Sequence, residues 1–274
     1  MKIKAAGKTD IGLKRKLNED SILIAGDAGL FVIADGMGGH KAGEVASRMV
    51  IDTLADYWQK IDNNTPPAFL EAVTREISHK AKHLINSIAL ANALIHEAQK
   101  QPEYYKMGST VSALLVEEDS IWLANVGDSP VYLYNRGRLT QISEEHSMAA
   151  EQRGTGQDQI QEASVNPLIK NVLTRVLGLH PQVNVYTTLL RPEPGDLLLM
   201  CSDGLTNHVS SEAISTVLAD ATLSLERKID GLIAAANQDG GTDNISIILL
   251  ECLAERGWRK LKRNLLKKIF FADN

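Results

Sequence analysis

The distribution of apolar residues along the chain predicts short strands and longer helices. Apolar, partly β-branched runs bounded by turn residues are typical of buried strands. The predicted strands cover residues 21–25, 30–34, 110–116, 121–126, 131–134, 184–190, 196–202 and 245–253. Apolar residues that recur about every 3.6 positions predict helices. The predicted helices cover residues 41–60, 68–99, 166–177, 210–219 and 223–236.

The connections between the strands predict how they pair. A turn cluster at residues 26–29 joins the first two strands as a β-hairpin, which places Asp20 and Asp35 at the same end. The strands within residues 110–134 are joined too closely for crossovers, so we expect an antiparallel meander there. We expect the two strands within residues 184–202 to form another pair.

The order of the elements predicts the fold class. Two strands, two helices, a series of strands, two helices and a last strand do not alternate as in a parallel βαβ sheet. The sequence therefore predicts an α+β fold, a four-layer α-β-β-α sandwich. In it, two antiparallel sheets pack face to face, and helices cover both outer sides.

Composition and charge narrow the possible classes of protein. The 274 residues suffice for one large domain or two small ones, and 44% hydrophobic with 23% charged residues is typical of a globular protein. The formal net charge of −5 argues against a generic nucleic-acid binder. Cys201 and Cys252 lie in apolar runs, which favours reduced core thiols. With no visible signal peptide or membrane span, we expect a cytoplasmic protein.

Acidic residues stand at the tips of several predicted strands. Asp35 follows an apolar run and precedes three glycines in four residues, which leaves backbone carbonyls uncovered. Asp128 and Asp203 also follow apolar strands, and Asp243 precedes one. Any one of these could be a solvated residue in a turn. Their recurrence predicts a cluster at one edge of the sheets that binds Mg²⁺ or Mn²⁺ through oxygen ligands.

Eight short motifs in order resemble those of the metal-dependent Ser/Thr protein phosphatases of the 2C type, the PPM family. They extend from the N-terminus to about residue 253, and the residues in these motifs are most similar to those of bacterial members. The matching stretches are Arg15-x-x-Asn18-Glu19-Asp20-Ser21, Asp35-Gly36-Met37-Gly38-Gly39-His40, Gly43-Glu44, Gly108-Ser109-Thr110, Asn125-Val126-Gly127-Asp128-Ser129, Asn171-Val172-Leu173-Thr174-Arg175, Ser202-Asp203-Gly204-Leu205 and Gly241-Thr242-Asp243-Asn244.

The resemblance implies an activity and its cofactors. Members hydrolyse phosphoserine and phosphothreonine on proteins with a hydroxide bridged by two Mg²⁺ or Mn²⁺ ions. The matching positions imply that Asp35 bridges both ions and that Asp203 and Asp243 bind one of them. A hydroxide shared by two divalent ions is available at neutral pH, and the ions neutralise phosphate charge.

The remaining ligands follow from the same resemblance. The Gly36 carbonyl, together with Glu19 or Asp20, would bind the second ion. Glu19 and Asp20 are adjacent and point in opposite directions on a strand, so only one of them can be a direct ligand. Asp128 matches the position that helps to hold a third, looser ion in bacterial members.

Arg15 and His40 match the family positions that act on the phosphate. Arg15 matches the phosphate-binding arginine, whose planar fork grips two oxygens. His40 matches the residue proposed to protonate the leaving alcohol, a role that suits a histidine. Two departures from the family pattern concern substrate preference. Glu145 precedes His146 where an Asp is usual, and Pro130 replaces an Arg.

Two other functions remain as alternatives, a catalytically weak phosphopeptide-binding regulator and another two-metal phosphoesterase. The full set of acids argues against the first. The acidic net charge and the lack of a basic groove argue against the second. The expected partners are phosphorylated proteins, either a Ser/Thr kinase or its targets, with no nucleic acid, and we expect a monomer.

The chain divides into a catalytic domain, residues 1–253, and a tail, residues 254–274. Within the domain, the polar stretch 144–177 is predicted to form a mobile flap that contacts protein substrates. The tail carries seven basic residues between positions 256 and 268, so the remainder has a net charge of −5 − 7 = −12. Its apolar residues recur at helical spacing, so we expect a basic amphipathic helix over 256–271. Such a helix packs on the acidic body, lies on an anionic membrane or docks on a partner.

Overall fold

The computed structural model describes residues 1–38, 42–70, 76–154 and 172–254. Its strands are β1 (Lys2–Asp10), β2 (Asp20–Ala25), β3 (Leu30–Met37), β4 (Gly108–Ser109), β5 (Val111–Glu117), β6 (Ser120–Val126), β7 (Val131–Asn135), β8 (Arg138–Gln141), β9 (Tyr186–Leu190), β10 (Leu197–Cys201) and β11 (Ile245–Leu253). Its helices are α1 (Ala42–Asp62), α2 (His79–Ala98), α3 (Met148–Gly154), α4 (Asp203–Thr206), α5 (Ser211–Ala219) and α6 (Leu225–Gln238). Among these described helices, none has the length and apolar character needed to cross a bilayer.

The strands form two antiparallel sheets. The first has the order β1-β11-β10-β7-β8, and the second has the order β2-β3-β5-β6-β9, with β4 paired to β3. Helices α1 and α2 cover the second sheet, while α5 and α6 cover the first. The predicted α+β sandwich is therefore confirmed, with the two sheets face to face and helices on both outer sides.

The apolar strands are continuous because both of their faces are buried. In β3, Phe31 and Ile33 point between the sheets and contact apolar residues of β10 and β11. The alternate residues Leu30 and Val32 point the other way, against α1 and α2. A strand with one wet face would alternate apolar and polar residues, whereas these four residues are at most 2% exposed.

The outer face of the first sheet is built in the same way. Leu199 of β10 and Ile247 of β11 pack against α6, which contributes Ile229 and Leu232. Ser210 caps α5, because its hydroxyl accepts a hydrogen bond from the Ala213 amide at 3.3 Å. Both cysteines are buried and free, which confirms that they are core thiols.

Two predictions of strand pairing are wrong. The strand predicted to complete a meander, β7, lies in the first sheet and pairs with β10 and β8, not with β6. The strands predicted to pair within residues 184–202 also separate, since β9 pairs with β6 and β10 pairs with β7 and β11. The four residues 127–130 can span about 13 Å, and the sheets are about 10 Å apart, so a short link suffices to change sheets.

The predicted helix over residues 68–99 is shorter in the structure. Helix α2 begins at His79, and the residues described between 63 and 78 are not helical. Ser78 sets the boundary, because its hydroxyl accepts a hydrogen bond from the Ala81 amide at 3.1 Å. Residues 71–75 lie outside the described part of the chain.

The predicted helix over residues 166–177 is also corrected where it can be checked. Residues 172–177 are extended or turn-like, and two isolated bridges fasten them to the body. These bridges join Leu173 to Ser147 and Leu177 to Ser109. Backbone pairing with the body has replaced the local helical bonds, while residues 155–171 lie outside the described residues.

Candidate active site

The β2–β3 hairpin sets two of the candidate acids side by side. Asp20 and Asp35 occupy paired positions, as the sequence predicts. The Gly36 amide donates to the Glu19 carbonyl at 3.0 Å, and the Asp35 amide donates to the Thr110 hydroxyl at 3.0 Å. The hairpin therefore brings both acids to the edge where β3 ends and α1 is about to begin.

Gly36 is required by a close approach of two backbone segments. A Cβ at this position would lie 1.9 Å from the carbonyl oxygen of Gly43, in the first turn of α1. A Cβ on Gly43 would in turn lie 2.3 Å from Glu19 Oε1. The two glycines thus let α1 pack directly against the end of β3 and the Glu19 carboxylate.

The two sheets bring three further acids to the same edge. Asp203 begins α4 directly after β10, and Asp243 lies two residues before β11. Because β10 and β11 are antiparallel neighbours, the end of one lies beside the start of the other. Asp128 lies in the link that leaves β6 for the other sheet.

These residues surround a cavity of about 290 Å³. Its lining residues are Arg15, Glu19, Asp35, Gly36, Met37, Gly38, Thr110, Asp128, Leu173, Asp203, Asp243 and Asn244. Seven of the predicted site residues are therefore brought together. Asp20 is buried behind the wall and accepts a hydrogen bond from the Ser202 hydroxyl at 2.8 Å. His40 lies outside the described residues.

Burial and mutual repulsion raise the pKa values of several of these carboxyl groups. Burial raises the pKa of Asp20 to about 7. Burial, followed by the Asp203 charge, raises the pKa of Asp128 to about 7. Burial, together with the charges of Asp20 and Asp203, raises the pKa of Asp35 well above its usual range. Because these carboxylates are not balanced by nearby positive charge, the cluster favours the binding of a cation.

Arg15 supplies part of that positive charge. Its guanidinium donates to Asp243 Oδ2 at 2.7 Å and lies 3.7 Å from Glu19 Oε2. Burial alone would lower the pKa of Arg15, but Asp243 and Glu19 together raise it above its ordinary value. One guanidinium cannot balance five neighbouring carboxylates, so the edge stays strongly acidic.

The residues present suit divalent metal ions, although they are not a preformed cage. Within the described part of the chain, no three carboxylate, imidazole or thiol groups already converge as ligands of one ion. Glu19 Oε1 and Asp20 Oδ1 are nevertheless buried and accept no hydrogen bond of normal geometry from the described residues. Buried carboxylate oxygens in this condition match the oxygen ligands that Mg²⁺ and Mn²⁺ prefer.

Asn244 and Thr110 are site residues to which the sequence alone assigned no role. The Asn244 amide donates to the Ile11 and Leu17 carbonyls at 3.0 Å each, and its oxygen accepts from the Glu19 amide at 2.8 Å. Asn244 therefore holds the loop that carries Arg15 against the turn that carries Asp243. Both residues stand inside quoted motifs, and that position was the only signal in the sequence.

His146 lies at the base of the predicted flap and is buried. Its Nδ1 accepts from the Gly127 amide at 3.0 Å, and its own amide donates to the Gly127 carbonyl at 3.0 Å. Arg175, from the far end of the flap, lies 3.1 Å from His146 Nε2. The base of the flap is thus tied to the turn before Asp128, while residues 155–171 are outside the described part.

Comparison with known sequences gives a consistent result. A model of the protein phosphatase 2C family matches residues 14–246. A putative protein phosphatase 2C-type of Streptococcus pyogenes is 36% identical over 251 residues, which covers 90% of this chain and 97% of that protein. The serine/threonine phosphatase stp of Listeria monocytogenes is 35% identical over 247 residues, 89% of this chain and 94% of the relative.

Solved structures of similar proteins share the fold. A serine/threonine phosphatase of Streptococcus agalactiae has a TM-score of 0.79 and 34% identity, covering 91% of this chain and 99% of that one. The catalytic domain of the phosphatase PstP, in complex with two manganese ions, has a TM-score of 0.74 and 30% identity, covering 92% and 99%. The family match over most of the chain and the shared sandwich agree, and the chain therefore belongs to the protein phosphatase 2C family.

Proposed function

We propose that the acidic cavity is the two-metal centre at which this chain removes phosphate from phosphoserine and phosphothreonine in proteins. Membership of the family makes the chain a metal-dependent Ser/Thr protein phosphatase that uses Mg²⁺ or Mn²⁺. The observation that supports this location is the cavity itself. It gathers Asp35, Asp128, Asp203 and Asp243 with one arginine at the edge of the two sheets.

The arrangement suggests which residues hold the ions. Asp35 would hold both ions, since the charges of Asp20, Asp203, Asp128 and Asp243 all act on it. Asp203 and Asp243, at neighbouring strand ends, would complete the first site. The Gly36 carbonyl and Glu19 would hold the second ion. We prefer Glu19 to Asp20 because the Glu19 side chain lines the cavity and Asp20 does not.

Asp128 fits a third, more weakly held ion. It lines the cavity, and the Asp203 charge is, after burial, the largest influence that raises its pKa. The two carboxylates influence each other electrostatically, so Asp128 and Asp203 would hold this ion together. Asp128 is carried by the link between the two sheets, after β6 and before β7.

Bound divalent ions supply an activated water and neutralise phosphate charge, and the protein supplies placement. Arg15 is held at the cavity wall by Asp243 and is exposed on its other side, with 45% of its side chain accessible. A guanidinium that exchanges a carboxylate for a phosphate grips two oxygens of the ester in a fixed orientation. Asn244 keeps the loop of Arg15 in place for that exchange.

His40 remains the proposed general acid on the basis of the sequence, since it lies outside the described residues. An alkoxide leaves slowly unless it is protonated, whereas a nitrophenolate leaves readily without a proton. Replacement His40→Ala should therefore slow phosphothreonine hydrolysis much more than p-nitrophenyl phosphate hydrolysis. Equal losses on both substrates would argue against this role.

One set of assays tests the proposed function. The chain is given p-nitrophenyl phosphate, a phosphothreonine peptide and a bis-ester, each with Mn²⁺ and each with a chelator. We expect turnover of the two monoesters that the chelator abolishes, and little turnover of the bis-ester. Peptide binding without turnover would support a regulator, and preferential bis-ester cleavage would support a different phosphoesterase.

We further propose that the phosphoproteins include a Ser/Thr kinase or its targets, and that the tail localises the enzyme. Residues 256–274 lie outside the described part, and the basic amphipathic pattern supports docking on an anionic surface. Deleting these residues should leave small-substrate turnover intact and weaken sedimentation with anionic liposomes. Loss of the thermal transition would instead make the tail part of the core.

A further inference from the structure

The turn that carries Asp243 contains two adjacent glycines, whose backbone conformation is little restricted by the residues themselves. Gly240 and Gly241 have φ angles of +132° and +52°, which L side chains rarely adopt. Two adjacent glycines leave the backbone unusually free when no other contact restrains it. The loop of Arg15 provides one restraint, because the Leu13 amide donates to the Gly241 carbonyl at 2.8 Å.

His208 provides the restraint on the residue next to Asp243. Its Nε2 accepts a hydrogen bond from the Thr242 amide at 3.2 Å and lies 2.7 Å from the Thr242 hydroxyl. On the other side of the ring, Nδ1 lies 3.0 Å from Asp239 Oδ2. The side chain of His208 is only 8% exposed. One imidazole thus holds the turn at both of its ends.

The same residue is anchored to the element that carries Asp203. The His208 amide donates to the Leu205 carbonyl at 3.1 Å, directly after α4, which Asp203 begins. His208 therefore connects the helix of one acid with the turn of the other. Because Nε2 accepts the Thr242 amide, the ring proton lies on Nδ1 and is donated to Asp239.

We propose that His208 is a positioning residue that sets the placement of Asp243 relative to Asp203 for metal binding. This inference rests on the proposed metal centre, in which these two acids bind the same ion. The ring is not a metal ligand, since its two nitrogens are engaged by Asp239 and Thr242. It acts on the backbone beside a ligand, much as outer partners orient the ligands of other metal sites.

The test compares three substitutions by Mn²⁺ titration calorimetry, Mn²⁺ electron paramagnetic resonance and thermal melting. His208→Gln carries an acceptor that reaches the position of Nε2, and keeps the Thr242 bond. His208→Asn is shorter and can reach only towards Asp239. Ser224→Ala is the control, because it removes the α6 cap at the Arg227 amide and lies outside the cavity.

We expect His208→Asn to weaken Mn²⁺ binding about tenfold, and His208→Gln to stay close to the wild type. Ser224→Ala should lower the melting temperature with unchanged Mn²⁺ affinity. Equal affinities for the Asn and Gln variants, or a loss of affinity in Ser224→Ala as well, would overturn the inference. If the wild-type chain itself binds no Mn²⁺, or Asp203→Asn binds it as well as wild type, the proposed metal centre fails instead.

Discussion

Two clusters of buried polar groups in this protein differ in how far their chemistry is satisfied. Between α1 and α2, Tyr57, His83 and Asn86 are at most 4% exposed. Asn86 donates to the Tyr57 hydroxyl at 2.7 Å, and that hydroxyl in turn lies 2.7 Å from His83 Nδ1. Asn86 also binds the backbone of Ala68 and Leu70, so its amide is fully used.

The acidic cavity is the opposite case. Its carboxylates lie next to one another, the pKa values of Asp20 and Asp35 are raised, and one oxygen each of Glu19 and Asp20 is buried without a hydrogen bond of normal geometry from the described residues. The polar groups between α1 and α2 hydrogen-bond to one another and therefore stabilise the fold. The carboxylates of the cavity, in contrast, need a bound cation to balance their charge. Burial of polar groups alone does not identify a functional site, whereas several neighbouring carboxylates with raised pKa values and unpaired oxygens are a more specific signal.

The largest expected effect comes from removing one acid of the cavity. Asp203→Asn should lower turnover of p-nitrophenyl phosphate by about a thousandfold. A bound ion lowers the activation free energy by several kcal/mol, and each ~1.4 kcal/mol changes the rate tenfold. The metal-free variant should be at least as stable as the wild type, because a like charge has been removed. Near-normal turnover with millimolar Mn²⁺, or a clearly lower melting temperature, would contradict the claim that the cavity acids serve metal binding and not stability.

The pH dependence of stability should show the unsatisfied state of the cavity. Because Asp20 and Asp128 have folded-state pKa values of about 7, the folded chain holds protons that the unfolded chain has already lost. The metal-free protein should therefore lose stability as the pH rises from about 4 to 7, and its melting temperature should fall by about 5 °C or more.

Manganese should reverse that trend, because ions bind the deprotonated carboxylates and stabilise the folded state by mass action. Melting curves from pH 5 to about 8, with Mn²⁺ and with a chelator, measure both effects. A chelator that destabilises the protein equally at both ends of this range would contradict the shifted pKa values of Asp20 and Asp128.

The smallest expected effect, and one confined to stability, comes from the helix cluster. Tyr57→Phe leaves His83 Nδ1 and one Asn86 N–H group buried without partners, and should cost about 1–3 kcal/mol of unfolding free energy. Turnover per folded molecule should not change, because the cluster does not line the cavity. Denaturant unfolding with parallel kinetics measures this, and a drop in kcat of the folded enzyme would show that the two clusters are coupled.

The sequence by itself determined most of the strands, most helices and the family, while β1, β4 and β8 were not predicted. Strand periodicity placed the β2–β3 hairpin and hence the pairing of Asp20 with Asp35, because a short turn leaves little choice of register. The family resemblance also assigned a role in the site to seven of the residues that line the cavity. Local signals suffice for such features, since each depends on neighbours within a few residues.

Only the tertiary structure decided which sheet each strand joins and how the acids are held. Strands β7 and β10 are apolar on both faces, so nothing in their own residues distinguishes one sheet from the other. The proposed preference for Glu19 over Asp20 likewise depends on which side chain lines the cavity wall. His208 gave no signal in the sequence, because its role arises from contacts with Asp239 and Thr242, more than thirty residues away. Such contacts form only when the chain folds, and they depend on distance in space and not on spacing along the sequence.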